Sequence, residues 1–556
     1  MNGHVFVLRG DLTTFACDAV LVPTDARWNV VAAHWGGLLP PDRLSDVSRR
    51  GWARIQVDHA SAAWADMPVD EHGRHVRLIA TAGAQGNPAR VADTVTASVR
   101  DLAPRLRPRI GRVRPLVALP LVGTGDGGFR TTRGALIKGL VPALRALTDG
   151  LDVDVALVVR DDRDHQAVQS QRVDEDWPAL GRPLRDCADE LGQRAAAREL
   201  SLFLGAGVSV PLGAPSWTGL LDELRALLPA GVAVSRSADP VEEASALEAA
   251  LPAGVLQQAV VERFQFRLCA PGHLLLAALD AERSVTTNYD RAFETALDGS
   301  RGPDTYTVLA RQLPAQPMPW LLKLHGDVAV PETIVLTEAG YARLKHELSA
   351  LLGVVESLLH TGHLLFVGYS LKDPTFLEAA EKVASVRRLA DPELATSLAT
   401  VLALRAGDVE PQPGLRVISM ADGGDVAEAA RTLEVFLDRM IWAATLARGA
   451  YGYLLDPHYE DLRTPEDVAL VASLQALATG HQDSPAWSAV AELLASPAHA
   501  APTRPPAERS REPPRPSWPG TAVAAVFRES YASDTSGGQP PWSDASTCAR
   551  LGHRTG

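Results

Sequence analysis

Short unbroken apolar runs of strand length alternate along this chain with longer stretches in which apolar residues return every three or four positions. An unbroken run is what a strand covered on both faces of a parallel sheet produces, and the three-to-four spacing marks an amphipathic helix. In the first part of the chain the runs fall at Val5 to Arg9, Ala19 to Pro23, Val76 to Ala80, Leu116 to Val122 and Val153 to Val159. Helical patterns occupy Ala89 to Leu106 and Arg133 to Leu147. Strands alternating with helices predict an α/β layer fold with a largely parallel sheet. A second series of runs starts at Leu200 to Leu204 and continues from Arg283, Trp320 and His363, then at Ala399 to Leu404 and Leu415 to Ser419. Between Trp217 and Ala281 the pattern is helical only, at Leu220 to Leu228, Pro240 to Ala249 and Val255 to Cys269, which predicts a small helical module. Helices are also expected at Asp186 to Arg198 and Val426 to Trp442. Asp161 to Arg185, charged and polar with Pro178 and Pro183, reads as a junction between two domains. Glu466 to Leu477 and Trp487 to Leu494 read as a helical appendage. Ala498 to Gly556, rich in Pro, Ser, Arg and Gly, buries too little to order itself and is expected to be disordered. The expected division is 1–175, 186–442, 443–497 and 498–556.

The second series ends its strands in unusual residues. Leu200 to Leu204 stops at Gly205-Ala206-Gly207-Val208-Ser209, where two glycines permit a tight turn and close backbone approach to a ligand. Backbone N–H groups at such a turn suit a diphosphate. The run from Arg283 ends in Thr287-Asn288-Tyr289-Asp290, that from Trp320 in Lys323-Leu324-His325-Gly326-Asp327, and that from His363 in Gly368-Tyr369-Ser370. Ligands of open parallel sheets bind outside the carboxyl ends of the strands, so four strand ends deliver their polar residues to one edge. Taken singly, each is equally well a turn or a strand terminator.

In this order, GAGVS, TTNYD, KLHG and GYSL resemble the NAD-binding core of the sirtuins, and most of all the sirtuin-like NADases that act as effectors in bacterial anti-phage systems such as Thoeris. The resemblance covers roughly Leu191 to Met440. It implies a Rossmann-like, doubly wound parallel sheet with NAD, the substrate, held by Gly205, Ala206, Gly207, Ser209, Gly368 and Ser370. It implies Asn288 at C1′ of the nicotinamide ribose, Asp290 at the carboxamide, and His325 as the essential histidine. An unperturbed histidine, with a pKa near 6.5, is a usable base at neutrality. Where protein-deacylating sirtuins have Pro-Asp-Phe-Arg, this chain has Pro215-Ser216-Trp217-Thr218, keeping an aromatic lid in Trp217 and losing the arginine. Their zinc ribbon needs two CxxC pairs, whereas Cys17, Cys187, Cys269 and Cys548 are isolated, so no metal is expected. These departures favour NAD hydrolysis over deacylation.

The amino-terminal series carries a fainter resemblance. Gly10-Asp11-Leu12-Thr13, Asp18-Ala19-Val20 and Gly123-Thr124-Gly125-Asp126-Gly127-Gly128-Phe129 look like a divergent macrodomain, an ADP-ribose-binding fold. It implies Asp11 at an adenine amine and Gly123, Thr124, Gly125, Gly127, Gly128 and Phe129 around a diphosphate and its distal ribose. Val22-Pro23-Thr24-Asp25 stands where that family has Asn-Ala-Ala-Asn, which favours a reader of a related nucleotide over an eraser. The expected whole is a regulated NAD hydrolase of anti-phage defence, gated by an ADP-ribose-derived signal, homo-oligomeric and working with a companion protein. A deacylase carrying a nucleotide reader and a non-catalytic sensor stay open as alternatives.

Composition narrows the partners further. A net charge of −13 disfavours general nucleic-acid binding, which needs a basic surface. No apolar run approaches the ~20 residues of a membrane span. The start Met1-Asn2-Gly3-His4 has neither a basic segment nor an apolar core, and with sparse cysteines this predicts a cytoplasmic protein.

Overall fold

The computed structural model describes residues 2–25, 30, 35–39, 53–57, 60–81, 87–124, 128–309, 318–346, 349–371, 383, 385, 399–410, 412, 414–449, 451–481, 484 and 487. The described strands form two seven-stranded sheets. The first contains β1 (Val5–Arg9), β2 (Ala19–Thr24), β3 (Ala53–Val57), β4 (Ala60–Asp66), β5 (His75–Ala80), β6 (Leu116–Pro120) and β7 (Asp154–Val159), in the order β1-β7-β6-β2-β5-β4-β3. Pairing is parallel from β1 to β5, and antiparallel where β4 and β3 finish the edge. The β3–β4 hairpin was not among the expected strands: β3 is short, and β4, with four alanines among its seven residues, carries little strand preference.

The second sheet contains β8 (Leu200–Leu204), β9 (Arg283–Thr286), β10 (Thr307–Leu309), β11 (Trp320–Lys323), β12 (His363–Val367), β13 (Ala399–Arg405) and β14 (Leu415–Ala421). Its order is β10-β11-β9-β8-β12-β13-β14, and every pair is parallel. From β8 the chain builds outward on one side through β9, then crosses to β12 and builds outward on the other. The strand order therefore reverses at β8, which opens a crevice at the carboxyl ends of β8, β9 and β12. All residues of β8 and β12 are buried, as an unbroken apolar run requires when both faces are covered.

Side chains alternate between the two faces of each sheet. On the first sheet Val7, Leu21 and Ile79 pack against α1 (Pro88–Leu102) and α2 (Arg133–Asp149). Phe6, Leu8, Val20 and Leu78 point the other way, into one continuous core with α4 (Arg182–Ala196), α8 (Pro271–Ala278) and α12 (Val426–Ala447). Leu202, Leu204, Leu365 and Val367 of the second sheet enter the same core from the opposite side. The two sheets thus share one layer of helices. Phe203, Leu364 and Phe366 face outward against α11 (Ser349–Thr361), with α10 (Glu338–His346) beside it. Helices α5 (Trp217–Arg225), α6 (Pro240–Ala250) and α7 (Val255–Phe264) form the small module around their own apolar centre, which includes Leu220, Leu247 and Val260. The helix expected to run to Cys269 ends at Phe264, and Cys269 instead pairs as extended backbone with Phe15 of the first sheet's layer.

The stretch read as a polar junction is part of the shared layer. It contains α3 (Asp162–Ser170), and Trp177 is fully buried beneath Arg172 and Arg439, whose guanidinium carbons lie 4.2 and 4.9 Å from its ring centre. Asp438 of α12, also fully buried, accepts from Arg172 Nη2 at 2.6 Å, Trp177 Nε1 at 3.0 Å and Val7 N at 3.3 Å. Burial opposes its ionisation, but Arg172 and His4 outweigh that and hold the carboxyl below the ordinary range. Asp154 accepts from Arg431 Nη2 at 2.7 Å and Arg112 Nη2 at 3.0 Å. Charges that look solvated in the sequence are partners across layers. Beyond α12, Tyr453 and Tyr459 fold back onto the first sheet's outer layer, Tyr459 Oη donating to Asp164 Oδ1 at 2.7 Å. Helix α13 (Pro465–His481) buries only Val471. The segment expected to be disordered, and most of the helix expected from Trp487, lie outside the described residues. Among the described residues no helix is long and apolar enough to cross a membrane.

Candidate active site

The turn after β8 and the turn after β12 meet backbone to backbone. Gly205 N donates to Val367 O and Gly207 N to Gly368 O, both at 2.9 Å. A Cβ on Gly205 would stand 2.4 Å from Gly368 O, and one on Gly207 would stand 2.8 Å from Gly368 Cα. Gly368 sits at φ +67° and faces Val208 N at a distance that would be 2.6 Å from its own Cβ. Only glycine fits these three positions, and the seam leaves Ala206 and Gly207 exposed at the crevice. Ser370 is exposed just beyond, while Tyr369 packs on Phe203 with ring centres 4.7 Å apart.

Beneath the seam lies a buried polar cluster. Ser209, fully buried, donates to Asp290 Oδ2 at 2.8 Å and accepts from Asn288 Nδ2 at 3.2 Å. Its Oγ also lies 3.3 Å from His273 Nε2. Asp290 turns its other oxygen to Ala292 N at 2.9 Å, meeting the first N–H of α9 (Ala292–Arg301). Asn288 is braced by its own N–H to Thr286 Oγ1 at 3.0 Å. With its amide nitrogen committed to Ser209, its Oδ1 is buried and has no partner among the described residues. An unmet buried acceptor costs about 1–3 kcal/mol, which a ligand hydroxyl or a water would recover.

The β11 turn is joined to this cluster by Lys323. Its Nζ, buried, donates to Tyr289 O at 3.1 Å, to Asp290 O and to Glu294 Oε1 at 3.1 Å, and lies 3.4 Å from Asp327 Oδ2. Burial raises the Glu294 carboxyl despite the neighbouring Lys323. Tyr289 Oη donates to Val335 O at 2.8 Å, and Val335 N donates to His325 O at 2.9 Å. His325 is nearly buried, its ring edge-on to Tyr341 at 5.5 Å. Gly326, at φ +93°, has Thr333 O where a Cβ would come within 2.2 Å, so this turn too admits only glycine.

The GAGVS turn is therefore bonded to Gly368 on one side, its Ser209 to Asn288 and Asp290 on the other, and His325 is tied to Tyr289 through Val335. Ser209 supports the cluster from behind rather than lining the crevice. Trp217 opens α5 after the Ser216 cap and packs against the helical module, its Nε1 buried and unpartnered among the described residues. Three participants were not anticipated: His273, Lys323 and Glu294. Lys323 had a signal, a lysine inside an otherwise apolar strand. His273 had little, because α8 is buried on all sides and shows no helical period. Among the described residues no three His, Cys, Asp or Glu side chains gather as a metal site.

At the amino-terminal candidate, Asp11 caps its own turn through Thr13 N at 2.9 Å and Thr13 Oγ1 at 2.8 Å, and pairs with Arg160. Gly123 (φ +85°) accepts from Phe129 N at 3.0 Å, and the fully buried Phe129 ring lies beneath it. Thr124 Oγ1 donates to Leu121 O at 2.8 Å, and Gly128 (φ +96°) has open space on its Cβ side. Gly125 and Gly127 lie outside the described residues. A cleft of about 600 Å³ runs between Asp11, Thr14 and Arg160 on this side and the carboxyl end of α9 on the other.

Residues 282–412 match the SIR2-like domain family. The chain is 27% identical over 208 residues to the NAD(+) hydrolase ThsA of Bacillus cereus (strain MSX-D12), covering 36% of this chain and 42% of that protein. It is 30% identical over 182 residues to the NAD(+) hydrolase ThsA of Enterococcus faecium, covering 31% and 37% respectively. Similarity to Defense-associated sirtuin 2 of Bacillus subtilis is 25% over 197 residues, 34% of this chain and 19% of that one. The chain thus spans less than half the length of the curated relatives it matches.

Proposed function

We propose that this protein is an NAD hydrolase that cleaves NAD to nicotinamide and ADP-ribose, acting as an effector of anti-phage defence. The observation that carries the reading is Asn288 at the carboxyl end of β9, with its amide nitrogen fixed by Ser209 and its carbonyl oxygen buried with no partner among the described residues. Breaking the nicotinamide–ribose bond develops oxocarbenium character at C1′. Asn288 Oδ1 is suited to accept from a ribose hydroxyl or the attacking water, and His325 to take the proton that is released. The exposed Ala206–Gly207 turn, with no Cβ at Gly207, suits close approach of the diphosphate, and Trp217 suits the nicotinamide side. The similarity to proteins named NAD(+) hydrolase supports the same reaction here.

In this reading the first sheet is a macrodomain-like receiver for an ADP-ribose-related nucleotide, and the Asp11–Arg160 cleft against the carboxyl end of α9 supports such gating because the first N–H of the same helix, at Ala292, donates to Asp290. The deciding experiment is incubation of the full chain with NAD, with and without ADP-ribose-related nucleotides, while nicotinamide is followed by chromatography. Release is expected without an acyl-peptide, and at least about 10²-fold slower in Asn288→Ala and His325→Ala at unchanged unfolding midpoints. Strict dependence on an acyl-peptide would replace hydrolase with deacylase.

A further inference from the structure

One buried titratable group at the site takes no part in the chemistry above. His273 is fully enclosed in the first turn of α8, and its two ring nitrogens have different partners. Ala270 N donates to Nδ1 at 3.1 Å, and Nε2 lies 3.3 Å from Ser209 Oγ. A nitrogen that accepts from a backbone N–H carries no proton, so the neutral ring carries its proton on Nε2 and donates it to Ser209. Burial holds the ring neutral, pulling its pKa down to about 4.

That donation decides how Ser209 can be used. A hydroxyl has one proton to give and two lone pairs to fill. Here both lone pairs are filled, by His273 Nε2–H and by Asn288 Nδ2–H, and the proton is left only Asp290 Oδ2. Asp290 as a carboxylate only accepts and Asn288 Nδ2 only donates, so the tautomer with Nε2–H is the one that completes a consistent set of three bonds at Ser209. With Nε2–H absent, one lone pair of Ser209 is unfilled and the hydroxyl keeps two of its three directional restraints, so Asn288 and Asp290 are held less firmly.

The geometry points to His273 as a positioning residue for NAD cleavage: through the Ser209 hydroxyl it fixes the orientation of Asn288 and Asp290 at the nicotinamide ribose. The segment that carries it is held against the amino-terminal layer. Leu274, next in α8, packs on Gly10, where a Cβ would come within 2.6 Å, and Cys269 pairs with Phe15 through Ala16 N to Cys269 O and Cys269 N to Thr14 O, both at 2.9 Å. This inference rests on the NAD hydrolase reading for its reaction, though not for its hydrogen bonds.

The test is a double-mutant cycle on the full chain with two readouts. In NAD turnover, His273→Leu is expected to lower kcat about tenfold to a hundredfold with KM within about twofold, the signature of misplaced groups rather than lost binding. His273→Gln, whose amide nitrogen can replace Nε2–H, is expected to recover most of kcat. Ser209→Ala/His273→Leu is expected to turn over no more slowly than Ser209→Ala alone. In urea unfolding, which needs no NAD, the two substitutions are expected to be non-additive. Wild-type kcat in His273→Leu, an undiminished deficit in His273→Gln, or additive unfolding would overturn the assignment. If the wild-type chain releases no nicotinamide the hydrolase reading falls, and the unfolding cycle alone still decides whether His273 sets the Ser209 bond.

Discussion

Lys323 holds four oxygens from three segments at one ammonium, and it does so out of contact with water. Removing one partner of a buried ion pair leaves the other charge uncompensated, a loss of about 3–5 kcal/mol, whereas removing both is far cheaper. Lys323→Met is therefore expected to lower stability by about that amount, and Lys323→Met/Glu294→Gln by less, with the buried Asp327 left as the one carboxylate facing the lost ammonium, measured by urea denaturation. Because the same ammonium binds the carbonyls of Tyr289 and Asp290, both variants should lose NAD turnover even where stability is recovered. Full activity in the double variant would separate the lysine from the site.

Helices α4 and α12 cross at Gly192, where a Cβ would lie 2.6 Å from Met440 O and 2.8 Å from Ala443 Cβ. One of those contacts is backbone and cannot rotate away, so Gly192→Ala must push the helices apart and is expected to destabilise by about 1–3 kcal/mol despite alanine's better helix propensity. A thermal scan reads this directly, and a midpoint at or above wild type would contradict the crossing. At this scale much was legible beforehand. Strands β8, β9, β11 and β12 stand where apolar runs stop at Gly, Asn or His, since a strand buried on both faces has no polar alternation to hide it. Their convergence could be read too, because parallel order places all carboxyl ends on one edge. What escaped was whatever depends on an all-buried helix or on distant charge partners. Helix α8 has seven of its eight residues buried and no polar face, and Arg172, Asp438 and Trp177 meet only after 438 residues of chain have folded. His273 was missed for the first reason, the buried junction for the second.

For the molecule as a whole, acid is the condition to which this architecture responds. His165 and His273 are buried neutral, with pKa values pulled down to about 4. Such a group binds its proton only on unfolding, so its contribution is complete above about pH 6.5 and is lost as pH falls toward 4. Raised carboxyls at Glu294 and Glu434, where burial outweighs Lys323 and Arg112 respectively, act in the opposite sense. A difference measurement removes them: between pH 7.5 and 5, His165→Gln is expected to lose about 2 kcal/mol less than wild type in urea denaturation. Equal losses would mean that the ring is hydrated or already charged. The helical layer common to both sheets bears on something else, the handling of fragments. In solubility terms the amino-terminal sheet is half of a sandwich whose filling is supplied by residues 182–196, 271–278 and 426–447. A piece ending near residue 175 would turn Phe6, Leu8, Phe15, Val20 and Val22 outward as one greasy plate, and size-exclusion chromatography should find it aggregated. Ligand binding by this half is then best measured on the intact chain, with the proposed NAD site of the second sheet silenced by substitution instead of deletion.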